Sequence, residues 1–83
     1  MLNGEIEKGE EEEAWLSGMK KYFQIYNYSN ELKAKIAIYN LTRKADIWWQ
    51  GIKKFKGIKE RYVTWKNFKK LFKRKYFYEQ YYE

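Results

Sequence analysis

The last third of the chain carries a pattern that leaves little freedom of fold. In "TWKNFKKLFKRKYFYEQYYE", Trp65, Phe68, Phe72 and Tyr76 recur at i, i+3, i+7 and i+11, with Leu71 alongside. An α-helix stacks such positions on one face, whereas a strand would send them to both sides. Lys66, Lys70, Lys73 and Arg74 fall largely on the opposite side, and Thr64 stands where an N-cap belongs. A helix so divided holds its place in a fold only when its ring-bearing face is covered.

The same period runs upstream. In "EEEEAWLSGMKKYFQIYN", Trp15, Met19, Tyr22 and Tyr26 share one face, with Leu16 and Phe23 beside them. Glutamates in the first turn, and Lys20 and Lys21 further along, suit the helix dipole. Gly18 costs a helix about 1 kcal/mol relative to alanine, which a close neighbour would explain. Ser29 is placed to cap a second helix, "NELKAKIAIYN", with Leu32, Ile36 and Tyr39 on one face. Thr42 is placed to cap a third, "RKADIWWQGI". There Leu41, Ala45, Trp48 and Ile52 form one stripe, and Ala45, Trp49 and Ile52 an adjoining row. This phase puts Trp48 in the core and Trp49 on its border, partly exposed toward a protein-facing surface. Residues 53–63 keep no clean period, and Gly57 among charges suggests a loop or a frayed helix end. The expectation is an all-α fold, a small bundle of four helices with room for a fifth. It spans residues 10–83 behind a flexible N-terminal arm at residues 1–9.

An 83-residue chain makes a single small domain, and an aromatic share of 22% supplies buried area that so short a chain otherwise lacks. With no cysteine and no histidine, disulfides, thiolate metal sites and the usual nucleophile–base pairs are excluded. Glu31, Asp46, Glu60 and Glu79 lie on different elements, so no spacing forces two carboxylates onto one face for glycosidase-type chemistry. The glycines at 4, 9, 18, 51 and 57 make no phosphate-cradling motif. The expectation is therefore no enzyme, no cofactor and no metal. No apolar run approaches the roughly 20 residues of a membrane span. The expected location is the cytoplasm, with the nucleus as second choice.

Charge is lopsided. Residues 1–13 hold six glutamates against Lys8, a net of −5, while the whole chain is +7. Residues 53–75 hold eleven Lys/Arg against Glu60, a net of +10. Such a run either attracts phosphate backbones in a salt-dependent way or is simply a solvated helix face. RNA or DNA binding through residues 53–75, with Lys66, Lys70, Lys73 and Arg74 as contacts, is one functional expectation. A Myb-like repeat does not fit, because Trp15 lies 33 residues before Trp48 and Trp65 only 17 after it.

The order of "EAWLSGMKKYF", "ELKAKIAIYNLTRKADIWWQ" and "TWKNFKKLFKRKYF" resembles the Gag domain of gypsy-class long-terminal-repeat retrotransposons, in plant-like versions. It is also similar to the capsid N-terminal lobe of Arc-like proteins. The features in common are the aromatic–Leu pair opening the first helix, the Trp-Trp pair, and the "W..F...F" spacing of the last helix. The resemblance implies a retroviral-type capsid N-terminal lobe, a structural module that binds other Gag subunits or a short peptide. Carried onto this chain, a peptide groove would use Ile6, Trp15, Tyr22, Asn40, Thr42 and Trp49. Asn40 stands where the Arc-like lobe has a histidine. A full Gag chain would add a C-terminal capsid lobe and often a zinc knuckle. One lobe of a longer polyprotein, or a domesticated remnant, is thus implied. A homodimer formed by exchange of the aromatic last helix is a further expectation.

Overall fold

The computed structural model describes residues 10–78, and these residues contain four α-helices and no strand. The helices are α1 (Glu10–Ile25), α2 (Asn30–Tyr39), α3 (Arg43–Lys56) and α4 (Trp65–Lys73). A single 3-10 turn, Glu60–Tyr62, lies between α3 and α4, and a π-helical turn, Arg74–Tyr78, follows α4. The fold is all-α, as the periodicity requires. The arm expected at residues 1–9 and its Ile6 lie outside the described residues.

Both ends of α2 and α3 and the start of α4 have a local cause. At α2 the Ser29 hydroxyl accepts a hydrogen bond from the Leu32 amide at 3.2 Å, occupying one of the amides a helix start leaves unpaired. Asn40 closes the same helix, its amide donating to the Ile36 and Ala37 carbonyls and its Nδ2 to the Ile36 carbonyl at 2.8 Å. Leu41 alone separates this cap from Thr42, whose Oγ1 accepts from the Ala45 amide at 3.3 Å and opens α3. Gly57 ends α3 in the left-handed region, at φ 66° and ψ 34°. There the amides of Gly57 and Ile58 both turn back to the Lys53 carbonyl. Thr64 then repeats the Ser29 arrangement, accepting from the Asn67 amide at 3.2 Å to start α4. Residues 53–63, expected as loop or frayed end, are in fact the last turn of α3, its glycine cap and the 3-10 turn.

The chain divides into two compact units. Residues 28–68 form one, containing α2, α3, the 3-10 turn and the start of α4. Its buried apolar residues include Ala34, Ala37, Ile38, Ala45, Trp49 and Phe68. The 3-10 turn packs against α2. The periodic reading placed Leu32, Ile36 and Tyr39 on the inner face of α2, and this is corrected. Tyr39 is 88% exposed and Leu32 is also exposed, while Ala34 and Ala37 have no exposed surface. Methyl-sized side chains suit a face on which backbone approaches closely, and that requirement outweighs hydrophobic size.

The other unit joins the segment up to Asn27 with the segment from Lys69 onward. Leu16, Met19, Phe23 and Phe72 are buried in it. The Trp15 and Phe72 ring centroids lie 4.9 Å apart, and Phe72 meets Tyr76 at 4.8 Å and Phe77 at 6.4 Å. Tyr76 and Phe77 thus pack on the helix that they extend. Tyr22 and Tyr26, expected on the inner face of α1, are exposed. Gly18 is exposed, and a Cβ added to it would meet nothing within 4 Å, so no close neighbour explains it.

Candidate protein-interaction site

The tryptophan pair is the densest feature of the 28–68 unit. Helical geometry sets Trp48 and Trp49 about 100° apart, so two different neighbours receive them. Trp49 has no exposed surface, whereas Trp48 is half-buried. This reverses the split read from the stripe, which made Trp48 the core ring and Trp49 the border. Phe68 supplies the reason: it meets Trp49 edge-on at 5.1 Å and Trp48 at 6.3 Å, and stacks on Trp65 at 6.2 Å.

A second reason is polar. A buried indole needs a partner for its N–H, and Trp49 Nε1 donates to Glu60 Oε1 at 3.0 Å. Lys53 Nζ reaches the same oxygen at 2.6 Å, and stands 6.0 Å from the centre of the Trp49 ring. One carboxylate oxygen therefore joins α3 to the 3-10 turn through both an indole and an ammonium group. The Lys53 hydrogen bond holds the Glu60 carboxyl below the ordinary carboxylate range; partial burial opposes this, and the Trp49 hydrogen bond reinforces it. Glu60 had no chemical role as an isolated carboxylate in the sequence. Its role is architectural, and the signal for it was a lone acid inside the most basic run of the chain.

The expected groove residues are distributed as follows. Trp15 is half-buried against Phe72, and Tyr22 is exposed with its ring 5.8 Å from Phe23 and 5.5 Å from Tyr26. Both belong to the first-and-last-segment unit, while Asn40, Thr42 and Trp49 belong to the 28–68 unit. Asn40 and Thr42 are exposed, but their side chains serve the caps of α2 and α3. Trp49 is closed to solvent, so its ring offers a partner nothing in this conformation.

Of the basic residues, Lys66 and Lys70 are exposed one turn apart on α4, and Arg74 is exposed in the π turn. Lys73 is half-buried and lines a shallow hollow with Glu13, Leu16, Ser17, Lys20 and Phe77. Among the described residues no group of three or more acidic, histidine or cysteine side chains could hold a metal ion. No described helix is long and apolar enough to cross a membrane.

Periodicity drew attention inward and so missed the outer face of α3. Ile47 and Phe55 are 66% and 85% exposed there, and Gly51 lies midway between them. Large apolar side chains on an otherwise charged helix face mark a candidate contact surface. The visible signal was the i, i+4, i+8 series Ile47, Gly51, Phe55 on the lysine-rich side of the helix.

Comparison with curated proteins gives no match, and comparison with solved structures gives none. A family model described as "Retrotransposon-derived protein PEG10, N-terminal capsid-like domain" matches residues 3–77. That span takes in all four helices, both caps built by threonine and the Trp48–Trp49 pair. The chain therefore belongs to the family of retrotransposon-derived, PEG10-type N-terminal capsid-like domains.

Proposed function

We infer that the chain is a structural module that works by protein–protein contact, as a capsid N-terminal lobe binding neighbouring Gag-like subunits or a short peptide. Family membership supports a structural, assembly role. The observation that carries the contact reading is the set of large apolar side chains left on the surface. Ile25, Tyr39, Ile47, Phe55 and Tyr62 are each at least 66% exposed. The reading includes a gypsy-class, Arc-like ancestry, a cytoplasmic site of action and no catalytic activity. Sedimentation velocity over a wide concentration range tests it. Concentration-dependent association is expected, and a monomer throughout, with no peptide bound, would defeat the reading.

A second reading rests on Lys66, Lys70 and Arg74, three exposed cations on consecutive turns at the end of a basic run. Neutralising several phosphates would make RNA affinity fall steeply with salt. Titration of RNA at two salt concentrations separates this from the first reading, and absence of binding at low salt would remove it.

A further inference from the structure

The outer face of α3 has a defined relief. Ile47 and Phe55 project from it, and Gly51 makes a notch between them in which a Cβ would meet nothing within 4 Å. Residues four apart on a helix lie in one row, so ridge, notch and ridge form a single line. Glycine inside a helix costs about 1 kcal/mol relative to alanine. No atom of the described chain occupies the space it leaves. Arg43, Lys44 and Lys54 are exposed on the same side of the helix. Its one acid, Asp46, is half-buried and accepts a hydrogen bond from Gln50 at 3.2 Å. The face is therefore apolar at its centre and positive at its rim.

We propose that this face receives the acidic N-terminal segment, residues 2–13, of a second copy of the chain. Charge complementarity selects the occupant. Residues 1–13 carry a net of −5 and hold six of the eleven acidic side chains in a molecule of net charge +7. The segment also brings Leu2 and Ile6, two apolar side chains for a surface with two apolar ridges. Glu10, Glu11 and Glu13 are exposed on the first turn of α1, so its acidic end is open to a neighbour. This deepens the assembly reading and rests on it. Donor and acceptor are different surfaces, so repetition gives a ring or an open chain, and reciprocal exchange between two copies gives a closed dimer.

Two full-length variants test the assignment. The acceptor variant carries Ile47→Ser and Phe55→Ser; the donor variant carries Glu10→Gln, Glu11→Gln and Glu13→Gln. All five positions are exposed, and unchanged far-UV circular dichroism checks that both variants keep the fold. In sedimentation velocity, wild type associates, and each variant alone associates at least tenfold more weakly. An equal mixture recovers a heterodimer, because it contains one intact donor and one intact acceptor. Gly51→Leu, which fills the notch, behaves as the acceptor variant does. Variants that associate as wild type does overturn the proposal and leave the assembly reading standing, as does a mixture that recovers nothing. A wild-type chain that stays monomeric at every concentration overturns the proposal, and one that also binds no peptide removes the reading beneath it.

Discussion

At Trp49 a large side chain is closed to solvent because one oxygen of Glu60 takes both its N–H and the Lys53 ammonium. Truncation there removes ring packing and leaves a carboxylate with one partner fewer. Trp49→Ala should cost about 3–5 kcal/mol in urea unfolding followed by circular dichroism. Trp48→Ala, at a half-buried position, should cost roughly 1–2 kcal/mol. Equal costs would contradict the assignment of Trp49 as the interior ring. Glu60 adds a pH signature. Its folded-state pKa lies below the ordinary carboxylate value, chiefly through the Lys53 hydrogen bond. The unfolded chain therefore binds the proton more readily, and the associated stability is present above the unfolded pKa and lost as pH falls through the folded one. Because the side chain is 39% exposed, screening limits this to a few tenths of a kcal/mol. Glu60→Gln should flatten that acid-side decline, and an unchanged pH profile would show that the contact contributes nothing. The sequence made both tryptophans helical and at least partly apolar-facing, which holds. It ranked them in the wrong order, because the deciding partner of Trp49 lies eleven residues away across a glycine cap.

At the level of elements, helix starts were the most legible features. Ser29, Thr42 and Thr64 each accept a hydrogen bond from the amide three residues on, and such a bond needs only local sequence. The inner face of α4 was equally legible, because Trp65, Phe68 and Phe72 are all buried as their spacing requires. The face of α2 was not. Apolar residues surround that short helix, so period alone offers several inner faces, and Ala34 and Ala37 win where the 3-10 turn packs on α2. The candidate groove was less legible than the fold, since it was assembled from residues whose surroundings depend on tertiary contacts. The glycines give a contrast of sign at this scale. Gly57 occupies φ 66°, where a Cβ is strained, so Gly57→Ala should destabilise by about 1–2 kcal/mol. Gly18 lies in an exposed helix interior with open space around it, so Gly18→Ala should stabilise by up to about 1 kcal/mol. Thermal unfolding of the two variants checks both; a stabilised Gly57→Ala would contradict the cap geometry, and a destabilised Gly18→Ala the open space around Gly18.

For the whole molecule, the proposed association has to bring together copies of net charge +7. Repulsion between like-charged copies acts over tens of ångströms, and is already largely screened at physiological salt, where the Debye length is about 8 Å. Contacts between the glutamates of one copy and the cationic rim of α3 on another act within a few ångströms and survive that screening. Added salt therefore distinguishes two kinds of assembly. If burial of Ile47 and Phe55 alone drives it, salt removes the remaining repulsion and association strengthens. If the acidic segment is the occupant, salt weakens each pair by an amount on the order of 0.2–1 kcal/mol. Three or four such pairs amount to roughly a tenfold loss in association constant, taking 1.4 kcal/mol per tenfold. Between about 0.1 M and 1 M salt, where the Debye length falls from about 10 to 3 Å, sedimentation of wild type should show that loss. The donor variant, lacking three of the segment's six glutamates, should lose much of the salt dependence together with the affinity. Association that strengthens with salt would assign the α3 face to an apolar partner surface instead.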